Sequence, residues 1–96
     1  KDAAVVYDGR TGILGSHLPF GSTRRAWNFR SLGHGHVNFE EIIRILNETG
    51  YDGPLSIECE DNGMDRLFGL EEAVKFARKI NFPASVIEFD SALKNQ

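Results

Sequence analysis

The sequence lacks nearly every feature that would mark a secreted, membrane-spanning or nucleic-acid-binding protein. Its one cysteine, Cys59, cannot build a disulfide framework, so a cytoplasmic setting is expected. Apolar runs last only a few residues, far short of the roughly 20 that a membrane-spanning helix needs. No secretory signal is visible. Acidic residues outnumber basic ones 14 to 11, for a net charge of −3. That balance argues against nucleic acid or an anionic membrane as a partner, since phosphate binding draws heavily on Lys and Arg, but leaves room for a local basic patch. No internal repeat or low-complexity tract is present. The chain opens Lys1-Asp2-Ala3 without an initiator Met, which fits a processed product, a cut domain or a fragment.

What remains is an ordinary globular composition, 41% hydrophobic and 26% charged, in 96 residues. Such a length allows one small domain, residues 1–96, able to bury roughly two thirds of its unfolded surface. Ala3–Tyr7 is extended in character and runs into Asp8-Gly9, a hairpin signal that makes residues 10–14 the return strand. Residues 15–37 read as a long, ordered loop carrying Trp27 and Phe29. Asn38 is an N-cap and Glu41 completes a capping-box-like pair. Phe39, Ile42, Ile43 and Leu46 share a face, and Gly50 supplies the stop. A second helix is expected over about 69–80, with Leu70, Ala73, Val74 and Ala77 inward and Asn81 and Pro83 ending it. A short C-terminal helix is expected within 85–93.

Between the two main helices lies the segment richest in chemical meaning, Gly50-Tyr51-Asp52-Gly53-Pro54-Leu55-Ser56-Ile57-Glu58-Cys59-Glu60-Asp61. Gly and Pro bound the run Leu55–Cys59, which reads as a buried strand. It ends among three acids, Glu58, Glu60 and Asp61. Carboxylates at a buried strand tip are costly unless a metal, a cationic side chain or a substrate meets them. In α/β proteins the C-terminal strand ends are where ligands bind. A helix crossing between two strands makes them parallel and joined right-handedly. Two parallel strands do not stand alone, so further walls must come from another segment or chain, and a homo-oligomer or association with a missing half is expected.

Three stretches together resemble the C-terminal part of sugar phosphate isomerases/epimerases, the xylose isomerase-like TIM barrels grouped with AP endonuclease family 2. They are Trp27-Asn28-Phe29-Arg30-Ser31-Leu32-Gly33-His34-Gly35-His36-Val37-Asn38-Phe39, Gly50 to Glu58, and Glu60-Asp61-Asn62-Gly63-Met64-Asp65-Arg66. The resemblance implies an α/β fold that is the C-terminal part of a (β/α)8 barrel. Lys1-Asp2 would stand where the family's His-x-Lys-Asp closes the seventh strand, Leu55–Cys59 would be the eighth strand, and 38–49 and 69–80 the seventh and eighth helices. It further implies a divalent metal, Mn, Mg, Co or Zn, held by a Glu, an Asp, a His and a final Glu. Glu58 matches that final glutamate, as metal ligand and catalytic carboxylate. The family's His would lie upstream of Lys1, and the other ligands belong to earlier strands. A divalent ion of this kind wants about six ligands, so the chain alone is expected to hold no metal tightly and to be inactive. The implied substrate is a sugar or sugar phosphate, isomerised by metal polarisation and proton transfer.

Each candidate also has a plainer reading. Glu58 could simply pair with a neighbouring Arg or Lys, and Glu60 and Asp61 read as loop and cap residues. Trp27, Arg30 and Arg66 are the substrate-binding candidates. Arg24, Arg25 and Arg30, interleaved with Trp27 and Phe29, form either a lid that grips phosphate or carboxylate, or a surface loop with its aromatics tucked inward. Arg66 either reaches the site or pairs with Asp61 or Asp65. His34 and His36 have metal-like spacing but sit in a Gly-rich loop, where solvent-facing or capping roles are commoner. Gly33 and Gly35 could offer backbone N–H groups to an anion. Cys59 reads as an inert buried thiol. Two other functions stay open: a metal-dependent nuclease related to AP endonucleases, and a non-catalytic partial barrel serving assembly.

Overall fold

The computed structural model describes residues 1–6 and 18–86. Within them come, in order, β1 (Asp2–Val5), β2 (Trp27–Arg30), α1 (Phe39–Glu48) and α2 (Arg66–Ile80). β1 and β2 pair antiparallel, Asp2 opposite Arg30 and Val5 opposite Trp27. The ladder continues one step further, through Val6 N–H to the Ala26 carbonyl at 2.7 Å. No helix among the described residues is long and apolar enough to cross a membrane.

A buried carboxylate organises this sheet. Asp2 is 1% exposed, and its oxygens accept hydrogen bonds from the backbone N–H groups of Gly33 (3.1 Å), Gly35 (3.0 Å), Val37 (3.1 Å) and Ala3 (2.8 Å). Successive amides turned inward make a concavity suited to an anion. Gly33 and Gly35 do offer N–H groups to an anion, and that anion is the chain's own. Gly35 is required by closeness, because a Cβ there would collide with the Asp2 carboxylate. The same loop closes the second edge of β1: His36 N–H donates to the Ala3 carbonyl at 2.7 Å, and Val5 N–H donates to His36 Nδ1 at 2.9 Å. Backbone groups alternate sides along an antiparallel strand. Residues 2, 4 and 6 therefore serve β2, while residues 3 and 5 serve His36.

That filled edge explains the first correction. Leu55–Cys59 is not a buried strand among the described residues; its backbone pairs with no other segment, and Leu55 is 44% exposed. The observed strands are antiparallel rather than parallel, because β1 finds its ladder partner inside the 15–37 stretch. Trp27–Arg30 alternates aromatic and polar side chains, the period of a strand, within what reads as loop. The expected hairpin about Asp8-Gly9 and its return strand at 10–14 lie outside the described residues. So does the C-terminal helix beyond residue 86, and Ser85 and Val86 are not helical.

The helices follow local chemistry closely. Asn38 caps α1, its side chain accepting from Glu41 N–H at 3.3 Å, and Gly50 follows the helix with φ of +77°. α2 starts earlier than expected, at Arg66, because Asp65 is its N-cap and accepts from Phe68 N–H at 3.0 Å. Each cap is worth about 1 kcal/mol. Gly69 then falls inside the helix, and it is buried. Ser31, fully buried, joins the loop to both α2 and the acidic segment: its hydroxyl donates to the Gly69 carbonyl at 2.6 Å, and its N–H donates to Asp61 at 2.9 Å.

The buried apolar residues among those described are Ala4, Ala26, Leu32, Ile43 and Ala73. Phe39 and Phe76 meet edge-on across the helices at 6.4 Å. Ile42 and Leu70, expected on inward faces, are instead 39% and 43% exposed. With so small a core, buried polar bonds carry much of the specification. Replacing Asp2 by Ala strands three loop amides, and we expect a loss of about 3 kcal/mol or more in urea denaturation. The control Glu48→Ala, at an exposed helix end, should stay within about 0.5 kcal/mol.

Candidate functional site

The acidic segment meets β1 at one point. Lys1 Nζ lies 2.9 Å from Glu58 Oε2 and 2.9 Å from Glu60 Oε1, and 4.3 Å from the centre of the Phe29 ring. Glu58 and Glu60 reach the same ammonium because alternate residues of an extended chain share a side. Cys59 points the other way, toward α2, where a Cβ on Gly69 would stand 3.0 Å from its Sγ. Cys59 is half-buried. Glu60 is thus an ion-pair partner. Asp61 is a turn residue, accepting from Ser31 N–H and from Gly63 N–H, both at 2.9 Å.

The mutual pairing moves both titrations. Hydrogen bonds from Lys1 to Glu58 and then Glu60 hold the ammonium above its ordinary pKa, and the Lys1 hydrogen bond holds Glu58 below the ordinary carboxylate range. Water reaches all three groups, with Glu58 66% and Glu60 57% exposed at the side chain, so the pairs add little to stability.

Beside this cluster opens a cavity of about 560 Å³ between the 20–30 stretch and residues 60–63, with Phe20, Arg25, Phe29 and Arg30 among its walls. Phe20 stacks on Phe29 at 5.3 Å and meets Trp27 edge-on at 5.6 Å. The aromatics therefore tuck against one another. Arg25 is held beneath them, 6% exposed, with Nε donating to the Trp27 carbonyl and Nη1 to the Leu18 carbonyl.

The substrate-binding candidates are thus divided. Arg30 stands on the cavity wall; Trp27 packs behind it, against Phe20 and Phe29. Arg66 opens α2, exposed, and pairs with neither Asp61 nor Asp65. His34 lies 3.5 Å from Glu72 through Nε2, and His36 is the acceptor for Val5 N–H, so the two histidines do not converge. Sequence reasoning passed over Phe20 and the burial of Arg25, and it gave Lys1 no part in the site. Nothing local to Lys1 points to partners 57 and 59 residues away.

A divalent metal does not fit what is present. No three metal-ligating side chains converge among the described residues, and the Glu58 oxygen that would serve already holds an ammonium. Among the described residues, two helices and a two-stranded sheet are compatible with an α/β chain. It matches the xylose isomerase-like TIM barrel, the AP endonuclease 2 family, over residues 7–80, and it belongs to that family. Comparison with curated proteins returned no match.

The signs of the two titrations set a pH dependence. The depressed Glu58 contributes stability that is present above the unfolded carboxylate value and lost as pH falls through its folded value, below about pH 4. The raised Lys1 contributes stability that is complete below the unfolded lysine value and lost as pH rises through its folded value, above about pH 10. In Lys1→Met, the Glu58 carboxyl followed by NMR should titrate at higher pH than in the unaltered chain.

Proposed function

We propose that this chain is the C-terminal part of a (β/α)8 barrel from a divalent-metal-dependent sugar or sugar phosphate isomerase/epimerase, one partial domain that is inactive by itself. Family membership supports the scaffold. The observation that carries the site is the meeting of Lys1 with Glu58 and Glu60. Residues far apart in sequence gather at one mouth, beside a cavity with aromatic and cationic walls. Glu58 would contribute one carboxylate to a metal, Mn, Mg, Co or Zn, whose other ligands come from the rest of the barrel. Until they do, no step of the reaction runs on this chain, because proximity and orientation are missing. A polyol suits the cavity: aromatic faces cover its C–H surfaces, and charged groups meet its hydroxyls. The net charge of −3 and the scarcity of clustered cations disfavour a nucleic-acid backbone.

A second reading, an assembly module, has its own support. Ile45, Leu55, Leu67 and Phe68 are 44–72% exposed, apolar surface of the kind that associates. The full-length parent separates the two. Metal-dependent interconversion of sugars, reduced about 100-fold or more by Glu58→Gln, is the expected result. Light scattering from this chain, showing a stable oligomer together with an inactive parent, favours the module. Cleavage of abasic DNA by the parent favours the nuclease.

A further inference from the structure

We propose that the cavity walled by Arg25 and Arg30 is a subsite for an oxyanion, a phosphate or carboxylate group on a small polar ligand. The inference deepens the reading above by specifying one end of the ligand, but its evidence is the cavity's own charge and hydrogen bonding.

Arg25 is the first element. The residue is 6% exposed, and its guanidinium lies 4.2 Å from the Phe20 ring centre and 4.7 Å from that of Trp27, on the cavity wall. Guanidinium carries five N–H donors. Two carbonyls take only part of that capacity, one at Nε and one at Nη1; Nη2 has no partner among the described residues. No carboxylate pairs with it there either. A buried cation without a counter-charge is costly, and aromatic faces and carbonyls offset only part of that cost. An anion in the cavity would complete it.

Arg30 is the second. It is exposed on the same wall, opposite Asp2 in the sheet register, and makes no side-chain hydrogen bond or ion pair with a described residue. Asp2 itself is fully engaged by loop amides and leaves Arg30 unanswered. The acids lining the same cavity are already engaged: Glu60 is held by Lys1, and Asp61 accepts two backbone N–H groups. Neither acid bonds to Arg25 or Arg30, so two guanidinium groups on one cavity keep N–H donors without a partner among the described residues. Paired guanidinium groups suit the planar, multi-oxygen geometry of carboxylate and phosphate.

Trp27 is the chain's one tryptophan and touches Arg25, so its fluorescence reports on the site. We expect inorganic phosphate, titrated at constant ionic strength, to produce a saturable fluorescence change and a rise in melting temperature. Acetate tests the carboxylate source in parallel. Arg30→Gln, a change on an exposed side chain, should weaken the response by roughly tenfold or more, the loss of one charge-assisted bond. Lys75→Gln, exposed on α2 and away from the cavity, should respond like the unaltered chain. The proposal is overturned if neither anion gives a saturable change, or if Arg30→Gln responds as the unaltered chain does. Neither metal nor sugar enters the experiment, so an anion response in a parent without isomerase activity would retain the subsite and reject the isomerase.

Discussion

The burial of the Asp2 carboxylate is the constraint on which the described fold depends. A carboxylate at 1% exposure is tolerable only with its oxygens occupied, and here four backbone N–H groups occupy them. Those bonds fix residues 33–37 against β1, and much else follows. Val37 is placed directly before the Asn38 cap, so the entry of α1 is set. Ser31 and Leu32 are carried inward, and the Ser31 hydroxyl meets the Gly69 carbonyl of α2. Its N–H meets Asp61, so the acidic segment is anchored to the same loop. One charged side chain thereby couples a sheet, two helices and the candidate site.

The same arrangement accounts for the sheet's small size. β1 has two edges, and the chain fills both, one with β2 and the other with His36. Nothing is left on β1 for Leu55–Cys59 to join at this level, and that segment lies against the body of the protein by side chains instead. Lys1 grips it from one side through Glu58 and Glu60, and Gly69 receives Cys59 on the other. The backbone of this segment pairs with no other described segment, and Leu55 is half-exposed. A sheet completed by further strands would satisfy both at once.

Legibility in the sequence tracked the range of the interaction. Asn38, Glu41 and Gly50 are local signals of a helix start and stop, and α1 lies between them. Asp65 is an equally local cap for α2, but it sits among other acids, and Gly69, which reads as a helix boundary, is a close-packing point against Cys59 and Met64. The strand Trp27–Arg30 was hidden by its flanks, whose Gly, Ser and Arg content reads as loop, although its own alternation was visible. Glu58 reads from the sequence as a strand-tip acid needing a positive partner; the segment is not a strand, and Glu58 pairs with Lys1. That partner, and the loop amides of Gly33, Gly35 and Val37 that hold Asp2, lie more than 30 residues away, and no pattern of spacing encodes them. Family resemblance reached Glu58 by a different route and says nothing of the ammonium beside it.

That ammonium bears on what the site can do. Coulombic attraction between two charges 2.9 Å apart is weak where water fills the surroundings and grows several-fold as the effective dielectric falls. In this chain Glu58 and Glu60 are mostly exposed, so Lys1 lowers the titration of Glu58 while contributing little to stability. Enclosing the same groups would strengthen the Lys1 pairs and every other charge interaction at the mouth. It would also raise the cost of leaving a charge unmatched. The arrangement of charges here is therefore of the kind whose strength depends on how far water is excluded from it.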